Sequence, residues 1–222
     1  MAFVKERGQR RNNMKYFTIK EIALIAVLAA VVSTVEISIG SFMHAFNLHG
    51  KSIVLTTTAM IIYFTAFSIT KKRGTVITIG FITAFIKLVY GWEMSKLSPV
   101  LSILGESIVT EIILCFLPLN VITGAITGAS LKIFNLVFPF ISFWIIGGKT
   151  AGKNLSKLFD SVQRIFPSLS FPMIVIAGII WTIILGCILG YIAFMISKQV
   201  TKLHDKVKNE KSKKEEKKEE YV

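Results

Sequence analysis

Residues 19–39 read IKEIALIAVLAAVVSTVEISI, and this stretch decides what kind of molecule the chain forms. An α-helix rises 1.5 Å per residue, so about 20 apolar residues cross a hydrocarbon layer roughly 30 Å thick. The stretch has that length. It follows a basic segment that contains Lys5, Arg7, Arg10, Arg11 and Lys15, as the core of a signal peptide does. It is nevertheless too long for such a core and lacks a convincing cleavage site, so it is read as a retained first transmembrane helix. No water inside lipid can satisfy backbone groups, which leaves helices or closed barrels. The two-residue alternation of a barrel strand is missing. Helices are expected throughout.

Working outward, the same signature recurs five times. A polar-aromatic loop, residues 40–51 (GSFMHAFNLHGK), leads to a Thr-rich span over 52–70 that stops at Lys71, Lys72, Arg73 and Gly74. A third span, 75–91, ends beside Tyr90 and Trp92, residues suited to a membrane interface. The fourth begins near Ser98 and Pro99, with proline in the first turn where its missing N–H costs nothing, and ends at Leu117 and Pro118. Residues 119–146 are long for one straight crossing and contain Pro139, which predicts a tilted or kinked helix. The last span covers about 171–197, after a polar and basic connector over 147–170. The expectation is an all-α, polytopic membrane protein with a six-transmembrane-helix bundle. A basic segment (1–18) precedes the membrane domain (19–197), and a charged tail (198–222) follows it.

The 222 residues are 53% hydrophobic and carry a formal net charge of +13, with a mean hydropathy of +0.63. Soluble domains have much less apolar content. The cations flank spans instead of forming one face, which points to the positive-inside bias and away from nucleic acid. Six spans put the basic N-terminus, the 71–73 turn and the Lys-rich tail on one, cytoplasmic, side. Lys149, Lys153, Lys157 and Arg164 then fall on the other side, so five or seven spans stay open. The tail is too poor in apolar residues to fold alone, although it can continue the last helix into water. Cys115 and Cys187 lie within spans as small apolar residues and imply no disulfide framework.

Ionisable residues inside spans are costly and face a cavity or a partner. Here they are Glu36, Lys87, Glu106, Glu111 and Lys132. Counted along the proposed helices, Lys87, Glu106 and Lys132 share one level in the outer half, with Glu36 higher and Glu111 deeper. Two readings follow: internal ion pairing of Glu106 with Lys132 or Lys87, or an outward-opening polar pocket. The loop residues His44, Phe46, Asn47 and His49 would roof that pocket. Trp92, Glu93, Asn120, Asn135 and Trp144 can also line it or simply anchor the helices. Small residues four apart recur as Ala26 and Ala30, Gly124 and Gly128, and Gly186 and Gly190, a spacing that lets helices approach closely. Gly148, Lys149 and Thr150 end like a phosphate-binding loop. Its earlier glycine position, however, is Phe143, and no strand precedes it. Hydrolase and zinc-protease motifs are absent, and His44 with His49 is a weak metal signal, so no enzyme and no metal or other cofactor is expected.

In size, span number, basic N-terminus and an alanine-rich first helix carrying Ala26 and Ala30, the chain resembles the substrate-binding S components of energy-coupling factor (ECF) vitamin transporters. The likeness covers about residues 16–200 and includes the short first loop, 40–51. It implies a protein of a prokaryotic cell membrane, both termini cytoplasmic, that binds a vitamin or related micronutrient from outside. It also implies docking through Ala26 and Ala30 to a coupling protein that works with two ATPases. Under that resemblance, Glu36 and Glu106 would receive an amine or cation, Lys87 or Lys132 a carboxylate or phosphate, and Phe46 or Trp92 a ring. The alternatives are a stand-alone ion-coupled secondary transporter, for which no internal repeat is visible, and a non-transport assembly subunit whose charges only pair.

Overall fold

The computed structural model describes residues 17–46, 51–90, 97–142 and 171–219. They form six helices: α1 (Ile19–Ala45), α2 (Lys51–Thr70), α3 (Thr75–Tyr90), α4 (Leu97–Phe116), α5 (Val121–Ser142) and α6 (Phe171–Glu219). Five helices are long and apolar enough to cross a membrane. The sixth, α3, is apolar but has 16 residues, a rise of about 24 Å. Among the described residues the architecture is all-α, as expected, and is compatible with a six-helix bundle.

The helices pack in a closed ring, α1 on α3, α3 on α4, α4 on α5, α5 on α6, α6 on α2 and α2 back on α1. The second helix also touches α3 and α5, which makes it the most enclosed element. Ala59, Met60, Tyr63, Phe64 and Ala66 of α2 form the centre of the core with Ile25 and Ala29 of α1 and Val76 and Ile79 of α3. Apart from Thr56, the threonines of this Thr-rich helix return their hydroxyls to their own helix. Thr57 donates to the Ile53 carbonyl at 2.6 Å, Thr65 to Ile61 at 2.7 Å and Thr70 to Ala66 at 2.8 Å. That arrangement lets hydroxyls sit in an apolar setting without orphaned donors.

The outer surface of the bundle is apolar. Phe81, Phe85, Phe116, Ile122, Ile180 and Trp181 are all exposed. In water a patch of that extent would drive aggregation, whereas in a bilayer it faces lipid tails at no cost.

The paired glycines meet one another. Gly124 and Gly128 of α5 pack on Gly190 and Gly186 of α6. A Cβ added to Gly186 would stand 2.6 Å from the Gly128 carbonyl oxygen, and one added to Gly124 would stand 2.9 Å from that of Gly190. The two backbones are in contact, as small residues four apart allow.

Polar groups at one end of the bundle, here termed the basic end, serve as caps. Thr18 and Glu21 form a capping box for α1, in which Thr18 N–H donates to Glu21 Oε2 at 2.7 Å and Glu21 N–H donates to Thr18 Oγ1 at 3.4 Å. Lys72 in the α2–α3 turn donates to the same Glu21 oxygen at 2.6 Å. That turn needs left-handed backbone at Lys71 (φ 53°) and Gly74 (φ 88°). Asn120 Oδ1 accepts from Thr123 N–H at 2.8 Å and caps α5. Asn120 is therefore spent on helix α5 and does not line a cavity with Lys132 and Asn135. Pro139, expected to mark a kink, lies in the last described turn of α5, which ends at Ser142. The last helix has 49 residues and continues well past Ser197, so the charged tail is helical to Glu219. The basic connector with Lys149, Lys153, Lys157 and Arg164, and the phosphate-loop-like Gly148 to Thr150, lie outside the described residues.

Candidate functional site: a polar cluster at the far end of the bundle

From mid-bundle toward the opposite end, where α1 and α3 finish and α2 and α4 begin, lie four of the five ionisable residues noted inside spans, with Glu106 and Lys132 near the middle of α4 and α5. Lys87 Nζ donates to Glu36 Oε2 at 2.6 Å and joins α3 to α1. Depth counting had placed Glu36 above Lys87. The flexible four-carbon stem of lysine takes up that difference. The pairing partner of Lys87 is thus Glu36, not Glu106.

The second group lies among α2, α4 and α5. Glu106, on α4, is buried, and its Oε1 accepts from Thr56 Oγ1 at 3.4 Å. Thr56 in turn accepts from Asn135 Nδ2 at 2.9 Å. The same amide reaches Ser52 Oγ at 3.5 Å, and its Oδ1 accepts from Ser102 Oγ at 3.5 Å. Lys132, also buried, donates to Ser52 Oγ at 3.4 Å. Most of these contacts are long against the usual 2.7–3.2 Å. Glu106 is within electrostatic reach of both Glu36 and Lys132, and the buried Tyr63 is within reach of both carboxylates. The two groups together draw on α1, α2, α3, α4 and α5.

The fifth charge belongs elsewhere. Glu111 is buried at the basic end, where Oε1 accepts from Gly74 N–H at 2.6 Å and Oε2 from Val76 N–H at 2.9 Å. A carboxylate of α4 thus caps α3 across the helix interface, satisfying two of its four orphan donors at the positive end of its dipole.

The expected roof is only partly described. Phe46 follows α1, exposed, with its ring 4.7 Å from that of Phe42. His44 falls in the last turn of α1, but its side chain lies outside the described structure, as do Asn47, His49, Trp92, Glu93 and Trp144 altogether. Among the described residues no three His, Cys, Asp or Glu side chains group as a metal site.

The two alanines flagged for docking, Ala26 and Ala30, are exposed, and Ala23 and Thr34 extend the same face. Ile25, Ala29 and Val32 point inward and fill the core. The first helix therefore shows the bundle exterior a strip of small side chains.

The hydroxyls Ser52, Thr56 and Ser102, together with Tyr63, were not singled out from sequence, because isolated serine and threonine are ordinary in membrane helices. A signal was nonetheless present. Ser52 with Thr56, Ser102 with Glu106, and Lys132 with Asn135 are polar pairs three or four residues apart, so each pair occupies one helix face. Three such faces on three helices can meet.

Compared with protein-family models, curated proteins and solved structures, the chain matches none.

Proposed function

We infer that the protein is a solute-capture subunit of a prokaryotic plasma membrane, acting in the manner of an ECF-type S component. The observation that supports this reading is the presence of Glu36, Lys87, Glu106 and Lys132 between the middle and one end of the bundle, together with hydroxyl and amide groups from facing helices. Intramembrane charges are expensive to keep, and a polar concentration within an apolar bundle suits a small hydrophilic solute. The opposite end carries Lys20, Lys71, Lys72, Arg73 and the Lys-rich extension of α6, and the positive-inside bias supports a cytoplasmic assignment of that end and of both termini, with the cluster outward. A vitamin or related micronutrient is the cargo class this reading takes.

The strip at Ala23, Ala26 and Ala30 supports the second half of the reading. It offers a transmembrane coupling protein a close approach, and two ATPases attached to that protein supply the energy. The experiment is co-purification from native membranes. The wild type should bring down a membrane partner and two nucleotide-binding subunits, and Ala26→Leu with Ala30→Leu should release them without lowering thermal stability. Recovery of the protein alone, with uptake driven by an ion gradient, would instead identify a secondary transporter. The 2.6 Å Lys87–Glu36 pair favours one further reading, an assembly subunit whose charges only lock helices. In that case neither partner ATPases nor a solute accompany the protein.

A further inference from the structure

We propose that the part of the cluster built on Glu106 and Lys132 takes a zwitterionic solute, with its cationic group on Glu106 and its carboxylate or phosphate on Lys132. The proposal rests on the solute-capture reading and narrows it to a ligand class.

The two halves of the cluster are unequal. Glu36 and Lys87 neutralise each other at 2.6 Å, a complete ion pair that leaves neither charge available without breaking the other's contact. Glu106 and Lys132 are both buried and sense each other's charge, yet among the described residues no ion pair of 4 Å or less joins them. Each instead has neutral partners, Glu106 the Thr56 hydroxyl at 3.4 Å and the Asn135 amide, and Lys132 the Ser52 hydroxyl at 3.4 Å. A buried carboxylate and ammonium that rest only on neutral hydroxyl and amide groups are under-compensated, because a charge removed from water needs an opposite charge or several strong hydrogen bonds. A solute with both signs supplies each. A singly charged solute would satisfy one group and leave the other worse off, because it also displaces water from the site.

The geometry also sets an orientation. Both hydroxyls stand on α2, four residues apart, so the anchor beside Glu106 lies one turn, about 6 Å, farther from the α2 start than the anchor beside Lys132. The solute therefore lies with its cationic group deeper in the bundle and its anionic group nearer the α2 start. Asn135, which reaches both hydroxyls, lies between the two ends and is placed to hydrogen-bond the middle of the solute.

The test melts the purified protein in detergent, followed by tryptophan fluorescence, against defined probes: glycine, β-alanine and γ-aminobutyrate as zwitterions with increasing charge separation, and ethylamine and propionate as single-charge controls. At least one zwitterion should raise the melting temperature, while neither control does. Glu106→Gln and Lys132→Met should abolish the shift, and Lys132→Arg, which keeps the charge, should retain part of it. A control that stabilises as well as the zwitterions, or a shift that survives in both variants, overturns the proposal. The solute released from the native protein by heat separates the two levels of inference. A released molecule with one charge or none sinks the zwitterion assignment and leaves solute capture standing. No released molecule and no stabilisation by any probe sinks both.

Discussion

Replacing Glu111 with alanine should destabilise the bundle at the start of α3, on the cytoplasmic side of the cluster in the proposed orientation. The Glu111 carboxylate accepts from two backbone donors of α3, at 2.6 and 2.9 Å, and is itself buried. A hydrogen bond to a charged group contributes about 1.5–3 kcal/mol, and a donor left buried without a partner costs about 1–3 kcal/mol. Some relief comes from water, since Gly74 is half-buried and the turn is at the membrane edge. The net loss for Glu111→Ala should be about 3 kcal/mol. Glu111→Gln keeps one acceptor oxygen, loses the charge that complements the helix dipole, and should cost about half as much. Steric trapping or reversible denaturation in mixed micelles measures the free energy directly. A thermal scan should show a fall of roughly 6–12 °C for the alanine variant, at about 2–4 °C per kcal/mol for a chain of this size. Solute binding per folded molecule should not change. A Glu111→Ala protein within about 0.5 kcal/mol of wild type, below the cost of an ordinary lost cap, would refute the capping assignment.

The ion pair predicts a double-mutant pattern in thermal denaturation. Lys87→Met and Glu36→Gln should each cost about 1–2 kcal/mol, reduced from the value for a fully buried pair by their residual exposure, and the double variant should recover part of the loss. Gly128→Leu or Gly186→Leu should abolish monodisperse expression, because the facing backbone leaves no room for a side chain. Gly178→Ala, with nothing within 4 Å of the added carbon, should be neutral, and size-exclusion chromatography separates the outcomes. Removing residues 202–222 should leave the melting temperature unchanged within error, since nearly all side chains described beyond Thr201 are exposed.

The fold was almost fully legible because the bilayer imposes a length and composition on every span, and residues 19–39, 52–70 and 171–197 declare both. Boundaries set by turn chemistry, such as the Lys71 to Gly74 turn, were equally plain. Two features were obscure. Continuation of the last helix into the charged tail was legible, but its extent to Glu219 was not, because a lack of apolar content argues against independent folding and says little about how far a helix already nucleated in the membrane propagates. The partners of the charges were not readable either. Depth counting brought Lys87, Glu106 and Lys132 to one level, but a level has no azimuth. Only the ring order of the helices puts Lys87 on Glu36 and Glu106 among Thr56, Asn135 and Lys132. Glu111 and Asn120 illustrate the same limit, since polar residues near a span can serve a solute or cap a helix, and the neighbour that decides is distant in sequence.

The most direct test of solute capture is mass spectrometry of small molecules freed by heat from protein purified out of its native membrane, with Glu106→Gln handled in parallel. The expected result is one hydrophilic solute in near-equal amount to the wild-type protein and at least a tenfold lower amount from the variant, a difference of about 1.4 kcal/mol in binding. An empty wild-type protein, or the same solute at the same occupancy in both, would contradict it.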